Sequence, residues 1–410
     1  MRILLLSPGQ LKGYRRFDSN HPVFPIIYPR LGIRILAALT PASHEVSIIE
    51  GDRTEGIDFD QEVDLVGISV LTPHAIHAYR IADEFRSRNK VVILGGPHPT
   101  LNASEAKRHA DAVVVGEAEL VWLPLLQDVQ QGNLKPYYQS DGAVLWDEIP
   151  SPLRLASDDQ HYSTAFPIET GRGCRIGCEF CLVGEMFGTA FNPRPVEQVI
   201  QEIETAKRLV GEAPAIIFSE NLLGNPTHAK EFCKRIAPLR VDWSAEGDFY
   251  HFSDEEYLDL IQQAGCCFIY IETKMVSRRV NPRLYDLYGE TIDAILKRDI
   301  PLSINFTVGY DDHDEALVMD TIEFISKGNI APYSSAQILV PWPGTPLFQR
   351  LEREGRILTR NWASYNNRSL VFQPKNFSIE AFMSMYLELQ KQLRVLKLMA
   401  IPSVSGVKGS

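Results

Sequence analysis

The chain reads as an α/β protein built from a doubly wound, flavodoxin- or Rossmann-like domain, then a partial (β/α)6 barrel, then a helical segment at the C-terminus. Three observations predict this. Short apolar runs recur from residue 1 to about 130, each followed by a longer amphipathic stretch. A turn-rich interval interrupts them, and a second alternation of six such units follows. The 410 residues also exceed what one ordinary core organises.

In the first alternation "RILLLS", "EVSIIE", "DLVGISV", "VVILGG" and "DAVVVG" are five strands. Their continuous apolar character means burial on both faces, hence a parallel sheet between helices. Ligands of such sheets bind at the carboxyl ends of the strands, which are here the loops 69–77, 95–100 and 116–119. Residues 131 to about 162 are rich in turn formers and read as a linker, giving domains at 1–140 and 163–355 around a connection at 141–162. Beyond it, strands are expected near 165–171, 215–218, 241–246, 267–272, 302–309 and 335–340. Between them, Val196, Val199, Ile200, Ile203, Ala206 and Leu209 keep the spacing of a helix with one buried face. "SDEEYLDLIQQAG" offers Ser253 and Glu256 as a capping box and Gly265 as the stop. Six β/α units suit an incomplete barrel better than a second open sheet. Residues 356–410 form an extension ending in one long helix, where Phe382, Met385 and Leu389 recur at packing spacing.

Composition narrows the function. The chain is 45% hydrophobic and 23% charged, and no apolar run approaches the length of a membrane span. "MRILLLSPG" reads as a first strand and lacks the features of a signal peptide, so a cytoplasmic protein, monomeric, is expected. A net charge of -11 without a basic block argues against nucleic acid as a partner. Six cysteines in that compartment are metal ligands or buried thiols rather than a disulfide framework.

Three of them lie in "GRGCRIGCEFC", at Cys174, Cys178 and Cys181, just after the first strand of the second domain. A closed zinc site needs four ligands, so His161 or Cys233 would have to join. A [4Fe-4S] cluster held by three thiolates keeps one iron open to a further ligand. This C-x3-C-x2-C resembles the radical S-adenosylmethionine (SAM) superfamily. The resemblance implies that the open iron chelates SAM and that an electron from the cluster cleaves it to methionine and a radical that abstracts a substrate hydrogen. It also implies that Phe180 packs near the adenine. Ser219, Glu220 and Asn221 in "FSENLLGN" stand where the family holds the SAM amino group, and Glu272 in "CCFIYIETK" where it contacts ribose or amine. "INFTVGYDDHDE", with Gly309, resembles the segment beside the adenine. Its acidic run also suits a helix N-terminus. Tyr270, where the family usually has glycine, narrows the cavity or offers a phenol to substrate.

The front domain resembles the cobalamin-binding class of that superfamily through "YPRLGIRILAA", "ILGGPHPT" and "DAVVVGEAE". On that resemblance Ser69, Leu71, Thr72, Gly95, Gly96, His98, Thr100, Gly116 and Glu117 contact cobalamin, the glycines by admitting a close approach. The Asp-x-His-x-x-Gly signature of histidine-ligated cobalt is absent, which fits the family's methylases, and His74 and His98 read first as turn residues. The resemblance implies methyl transfer through methylcobalamin to an unactivated carbon of a small-molecule, lipid, tetrapyrrole or peptide substrate, with a flavodoxin- or ferredoxin-type electron donor. Alternatives are non-methylating chemistry on both cofactors (cyclisation, ring contraction, oxidation) and a non-catalytic corrinoid or cluster sensor. Cys233 and Cys266 read as core thiols. Cys267 is a core thiol or a hydrogen-atom donor, and Trp342 lines either the lower cavity or the core.

Overall fold

Residues 3–8 of the first strand are buried without a break, because helices cover both faces of its sheet. The structure is a computed structural model and describes residues 1–9, 30–140, 142–152, 165–210, 215–219 and 225–400. Strands β1 (Arg2–Pro8), β2 (Glu45–Gly51), β3 (Leu65–Ser69), β4 (Val91–Gly95), β5 (Ala112–Val115) and β6 (Tyr137–Gln139) form one sheet in the order β2-β1-β3-β4-β5-β6. Every pairing in it is parallel. Helices α1 (Leu31–Leu39), α2 (Ala75–Ser87), α3 (Pro97–Leu101), α4 (Ala103–Ala106) and α5 (Trp122–Gln131) connect the strands. Period-two alternation divides β1 between the faces: Ile3 and Leu5 join Ile33, Trp122 and Leu125 of α1 and α5, while Leu4 and Leu6 join Ala78 and Phe85 of α2. The chain leaves β1 first toward β2 and later toward β3, so the strand order reverses there and opens a crevice at the carboxyl ends.

Five strands were expected, and the sheet has six among the described residues. The additional β6 comes from the turn-rich interval and spans three residues, of which Tyr138 alone is buried. Three residues are too few for an alternation to show.

In the second half come β7 (Ala165–Glu169), β8 (Gly171–Arg172), α6 (Leu182–Phe187), β9 (Asn192–Pro193), α7 (Val196–Val210), β10 (Ala215–Ser219), α8 (Pro226–Ile236), β11 (Trp243–Gly247), α9 (Glu255–Gln263), β12 (Cys266–Lys274), α10 (Pro282–Leu296), β13 (Leu302–Val308), α11 (Glu315–Lys327), β14 (Ser334–Ile338), α12 (Pro346–Arg353) and α13 (Ile379–Ala400). The sheet β7-β10-β11-β12-β13-β14 is parallel and sequential, with β7 and β14 as its two edges: an unclosed (β/α)6 barrel. α13 lies along the β14 edge, where Tyr386 Oη and Gln390 Nε2 donate to the Ala336 carbonyl at 3.3 and 2.8 Å. Phe382 and Leu389 of α13 are buried, as packing positions should be. Helix α9 starts one residue later than its expected cap. Asp254, not Ser253, accepts from the Tyr257 N–H at 3.2 Å, while Ser253 Oγ donates to the Tyr250 carbonyl. Gly265 follows α9 at φ +87°, the left-handed stop expected of it. Among the described residues no helix is long and apolar enough to cross a membrane.

The two halves share a seam. Trp362 donates its indole N–H to Glu105 at 2.7 Å and packs edge-on against His98, and Gly344, at φ +85°, sits where a Cβ would fall 2.7 Å from Leu101. One hydrophobic cluster runs from Leu4 and Phe85 through Trp362 and Tyr365 to Phe306 and Leu393.

Candidate active site

Arg172 and Gly171 pair with Asn192 and Pro193, so the antiparallel ribbon β8/β9 pins both ends of the segment that carries Cys174, Cys178 and Cys181. Within it Gly173 takes φ +85°, where a Cβ would fall 2.1 Å from the Ala190 carbonyl oxygen. The Cys181 N–H closes a turn onto the Cys178 carbonyl at 3.0 Å, and Cys181 then begins α6. A second tie comes from α12, whose Leu347 N–H donates to the Glu179 carbonyl at 2.9 Å and whose Arg350 pairs with the Glu179 carboxylate at 3.0 Å. Arg350 also meets Asp311, which follows β13 and takes Arg356 as well. Cys174 and Cys181 are half-buried and Cys178 is exposed at its surface, yet partial desolvation, then the neighbouring Cys174, raises the Cys178 thiol above its ordinary pKa. Among the described residues no three His, Cys, Asp or Glu side chains converge on one metal ion. A cubane is met differently, one thiolate per iron, so ligands spread along a loop fit it.

Around this loop stand the carboxyl ends of the barrel strands. Phe180 meets Tyr310 edge-to-face, with centroids 5.9 Å apart, and Lys274, the last residue of β12, lies 4.3 Å from the centroid of the Tyr310 ring. Glu272, two residues earlier on the same face, accepts from Thr307 Oγ1 at 3.1 Å and Gln337 Nε2 at 2.6 Å, both on its Oε1. Burial raises its carboxyl above the ordinary range. Cys178, Glu272 and Tyr310 act on one another electrostatically, which puts them in one neighbourhood. Gly309 sits directly after β13 at φ +117°, and its N–H donates to His313 Nδ1 at 3.4 Å. Further down the barrel Tyr270 stands between Glu246 and Glu272 and against Asn305, its phenol pushed up by burial. The polar row continues through Ser335, which donates to Asn305 Oδ1 at 3.0 Å.

A cavity lies at the carboxyl ends of the first sheet and faces this loop. Ser69, Leu71, Gly95, Gly96, Gly116 and Glu117 line it, joined by Glu169, Arg172, Met186 and Phe187 of the second half. Gly96 needs its own glycine, since at φ +91° a Cβ would fall 2.9 Å from Ser69 Oγ. Gly95 does not: a Cβ there would meet only Val114 at 3.5 Å, an ordinary contact. Its missing side chain leaves free depth in the cavity wall, the kind of cradle a flat macrocycle requires. Arg172 is a buried part of the lining. It bonds Glu117 and Glu119 from the loop after β5, each at 2.7 Å, and Glu169 at 2.9–3.0 Å, with its guanidinium over the rings of Trp146 and Phe187.

Residues 23–122 match the B12 binding domain family and residues 168–325 the Radical SAM superfamily. The chain belongs to the B12-binding radical SAM enzymes. Bacteriochlorophyllide d C-8(2)-methyltransferase of Chlorobaculum tepidum is 28% identical, over 88% of this chain and 83% of that one. The anaerobic magnesium-protoporphyrin IX monomethyl ester cyclase of Rubrivivax gelatinosus is 24% identical, over 91% and 74%. The radical SAM methyltransferase TsrM of Kitasatospora setae, solved with cobalamin and a [4Fe-4S] cluster, has the same fold, with a TM-score of 0.68 at 15% identity over 96% of this chain and 90% of that one.

Within this radical SAM enzyme the residues expected to contact cofactors separate by position. Six of nine in the B12 domain line the cavity. Thr72, His98 and Thr100 stand behind it: His98 is fully buried with Nδ1 3.1 Å from Thr72 Oγ1, and Thr100 Oγ1 accepts from the Gly116 N–H at 3.1 Å. None of the three is in the cavity lining. Glu117 is in the lining, but Arg172 takes its Oε1 and the Val144 N–H its Oε2, so it is occupied by protein. In the radical SAM domain Phe180 and Glu272 stand beside the cysteine loop, while Gly309 faces Phe372, Leu339 and Phe382. Ser219 ends β10, and Glu220 and Asn221 lie outside the described residues. Cys267 is the extra residue of a bulge, since Trp243 and Ser244 pair with Cys266 and Phe268. Trp342 is half-buried on the core, in the loop after β14, outside the cavity lining. Sequence reasoning missed Lys274, Tyr310, Asp311, Arg350, Glu119, Glu169 and Arg172. Four of them, Glu169, Lys274, Tyr310 and Asp311, stand at or just past the carboxyl end of a barrel strand, a position that itself points to function.

Proposed function

We propose that this chain is a cobalamin-dependent methyltransferase that uses SAM and a [4Fe-4S] cluster on Cys174, Cys178 and Cys181 to methylate an unactivated carbon of a tetrapyrrole-type substrate. The observation that carries the reading is the cavity of the B12 domain opening onto the segment that bears the cysteines, with Arg172 binding the two together. The bound cofactors supply the substrate radical and the methyl group. The protein holds them at a fixed separation and keeps water from the gap, which is where positioning contributes most to such a transfer. Phe180 and Tyr310 offer an aromatic shelf for the adenine, and Glu272, with both of its bonds on Oε1, presents Oε2 to a hydroxyl or ammonium donor. The tetrapyrrole class rests on the relatives, two of which act by name on a bacteriochlorophyllide and a magnesium protoporphyrin ester.

The test is anaerobic: reconstitute iron and sulfide, add hydroxocobalamin, SAM, a strong reductant and a chlorophyllide-type substrate, then follow 5'-deoxyadenosine and product by mass spectrometry. Gain of one methylene on the tetrapyrrole supports the reading. Loss of hydrogen without methyl gain replaces it with the ring-forming chemistry that the cyclase relative's name describes.

A further inference from the structure

The Arg172 group carries three carboxylates on one guanidinium, and all four side chains are at most 11% exposed. Glu117 has both oxygens engaged, and Glu169 gives both to Arg172. Glu119 differs. Its side chain is 8% exposed and lines the cavity, its Oε1 meets Arg172, and its Oε2 has no partner among the described residues. Arg30 also lines the cavity, but from the start of α1, on the side of His74. The wall next to Arg172 therefore holds more negative than positive charge, and one carboxylate oxygen of a cavity-lining side chain is left without a protein partner among the described residues. Such a wall favours a ligand that brings N–H donors and opposes one that brings a carboxylate, because a like charge there can be neither solvated nor paired.

The geometry points to Glu119 as the residue that reads the amidation of the corrin rim, accepting from a primary carboxamide and rejecting the corresponding free acid. The inference rests on the cavity being the corrinoid site. A corrin whose side chains are amides supplies neutral N–H donors around its edge. The same ring with free acids supplies only acceptors and negative charge. A charge-assisted bond to one amide and repulsion of one carboxylate both act in the same direction, so the selectivity is large for a single residue.

The full chain is titrated with aquacobalamin, dicyanocobinamide (amidated, no nucleotide) and dicyanocobyrinic acid (free acids, no nucleotide), with binding read from visible absorbance and retention through a desalting column. No turnover is needed. Cobinamide is expected to bind at least about tenfold more tightly than cobyrinic acid, the ratio that one charge-assisted hydrogen bond supplies. High salt should leave the preference in place, since screening reaches exposed charges and not this buried one. Glu119→Gln keeps the size of the side chain and should bring the ratio within about threefold, because the amide can accept yet no longer repels. Its circular dichroism is checked against the unaltered chain, and the unaltered chain's own preference needs no variant. Equal binding of the two probes, or an undiminished ratio in Glu119→Gln, overturns the inference while aquacobalamin binding leaves the functional reading standing. Failure of aquacobalamin to bind overturns both.

Discussion

Glu272, proposed above as a contact for SAM, shows what a buried carboxyl costs the fold. Burial holds its carboxyl above the ordinary pKa, so the charged form is disfavoured in the native state. A raised acid favours stability below its unfolded pKa and loses that contribution as pH rises through the folded value. Glu272→Gln, whose carbonyl still accepts from Thr307 and Gln337, should therefore raise the thermal midpoint near neutral pH, with the gain vanishing toward acid, while SAM binding falls. A variant no more stable than the parent at neutral pH would contradict this. His313 acts in the opposite sense. Burial lowers it to about 4 from 6.5, so its neutral form stabilises the protein above 6.5, and that contribution is lost as pH falls toward 4. About 3 kcal/mol is at stake, and denaturant titrations across this range should show the acid limb flattened in His313→Asn. Neither behaviour was legible in sequence. "YDDHDEA" reads there as a helix N-terminus, which Asp314 does provide by capping α11, but Asp311 turns to Arg350 and Arg356 and His313 turns inward. Partners 39 and 45 residues away leave no mark on local pattern.

At the scale of elements, local chemistry carries more. α7 occupies the residues its apolar spacing marks, with Val196, Val199, Ile200, Ile203 and Ala206 buried, but Leu209 in its last turn is exposed because the core has ended there. The start of α9 was misread by one residue, since Ser253 and Asp254 are both good caps and the competition is settled by the Tyr250 carbonyl, which takes the serine hydroxyl. Asp254→Ala should cost about 1 kcal/mol in chemical denaturation and Ser253→Ala markedly less. The reverse order would restore the serine cap. The bulge at Cys267 was likewise hidden: "CCFIYIETK" alternates well enough to suggest a regular strand, and only the register against β11 reveals the extra residue. Fold class and strand count in the barrel were readable because short strand-like runs alternate with amphipathic helical stretches, even where β11 (WSAEG) and β14 (SSAQI) are not apolar throughout. β6 and the two-residue strands β8 and β9 were not, because they are too short to have a period.

Across the whole molecule the seam is charged at one point and apolar at another. Arg172→Met should remove about 3–5 kcal/mol, since it strands three buried carboxylates, and the loss should appear as one cooperative transition rather than the release of a single domain. Two separated transitions would show that the halves fold independently. The reason to expect one lies in the hydrophobic cluster that passes from Phe85 through Trp362 to Phe306. Sequence families divide this chain into a front piece and a back piece, yet its interior has no such division. The halves are therefore not interchangeable cassettes. A front domain borrowed from a relative would have to bring a surface cut to Trp362, Tyr365 and Gly344 as well as a corrinoid cavity, so recombination among these enzymes is constrained at the seam as well as at the cofactor.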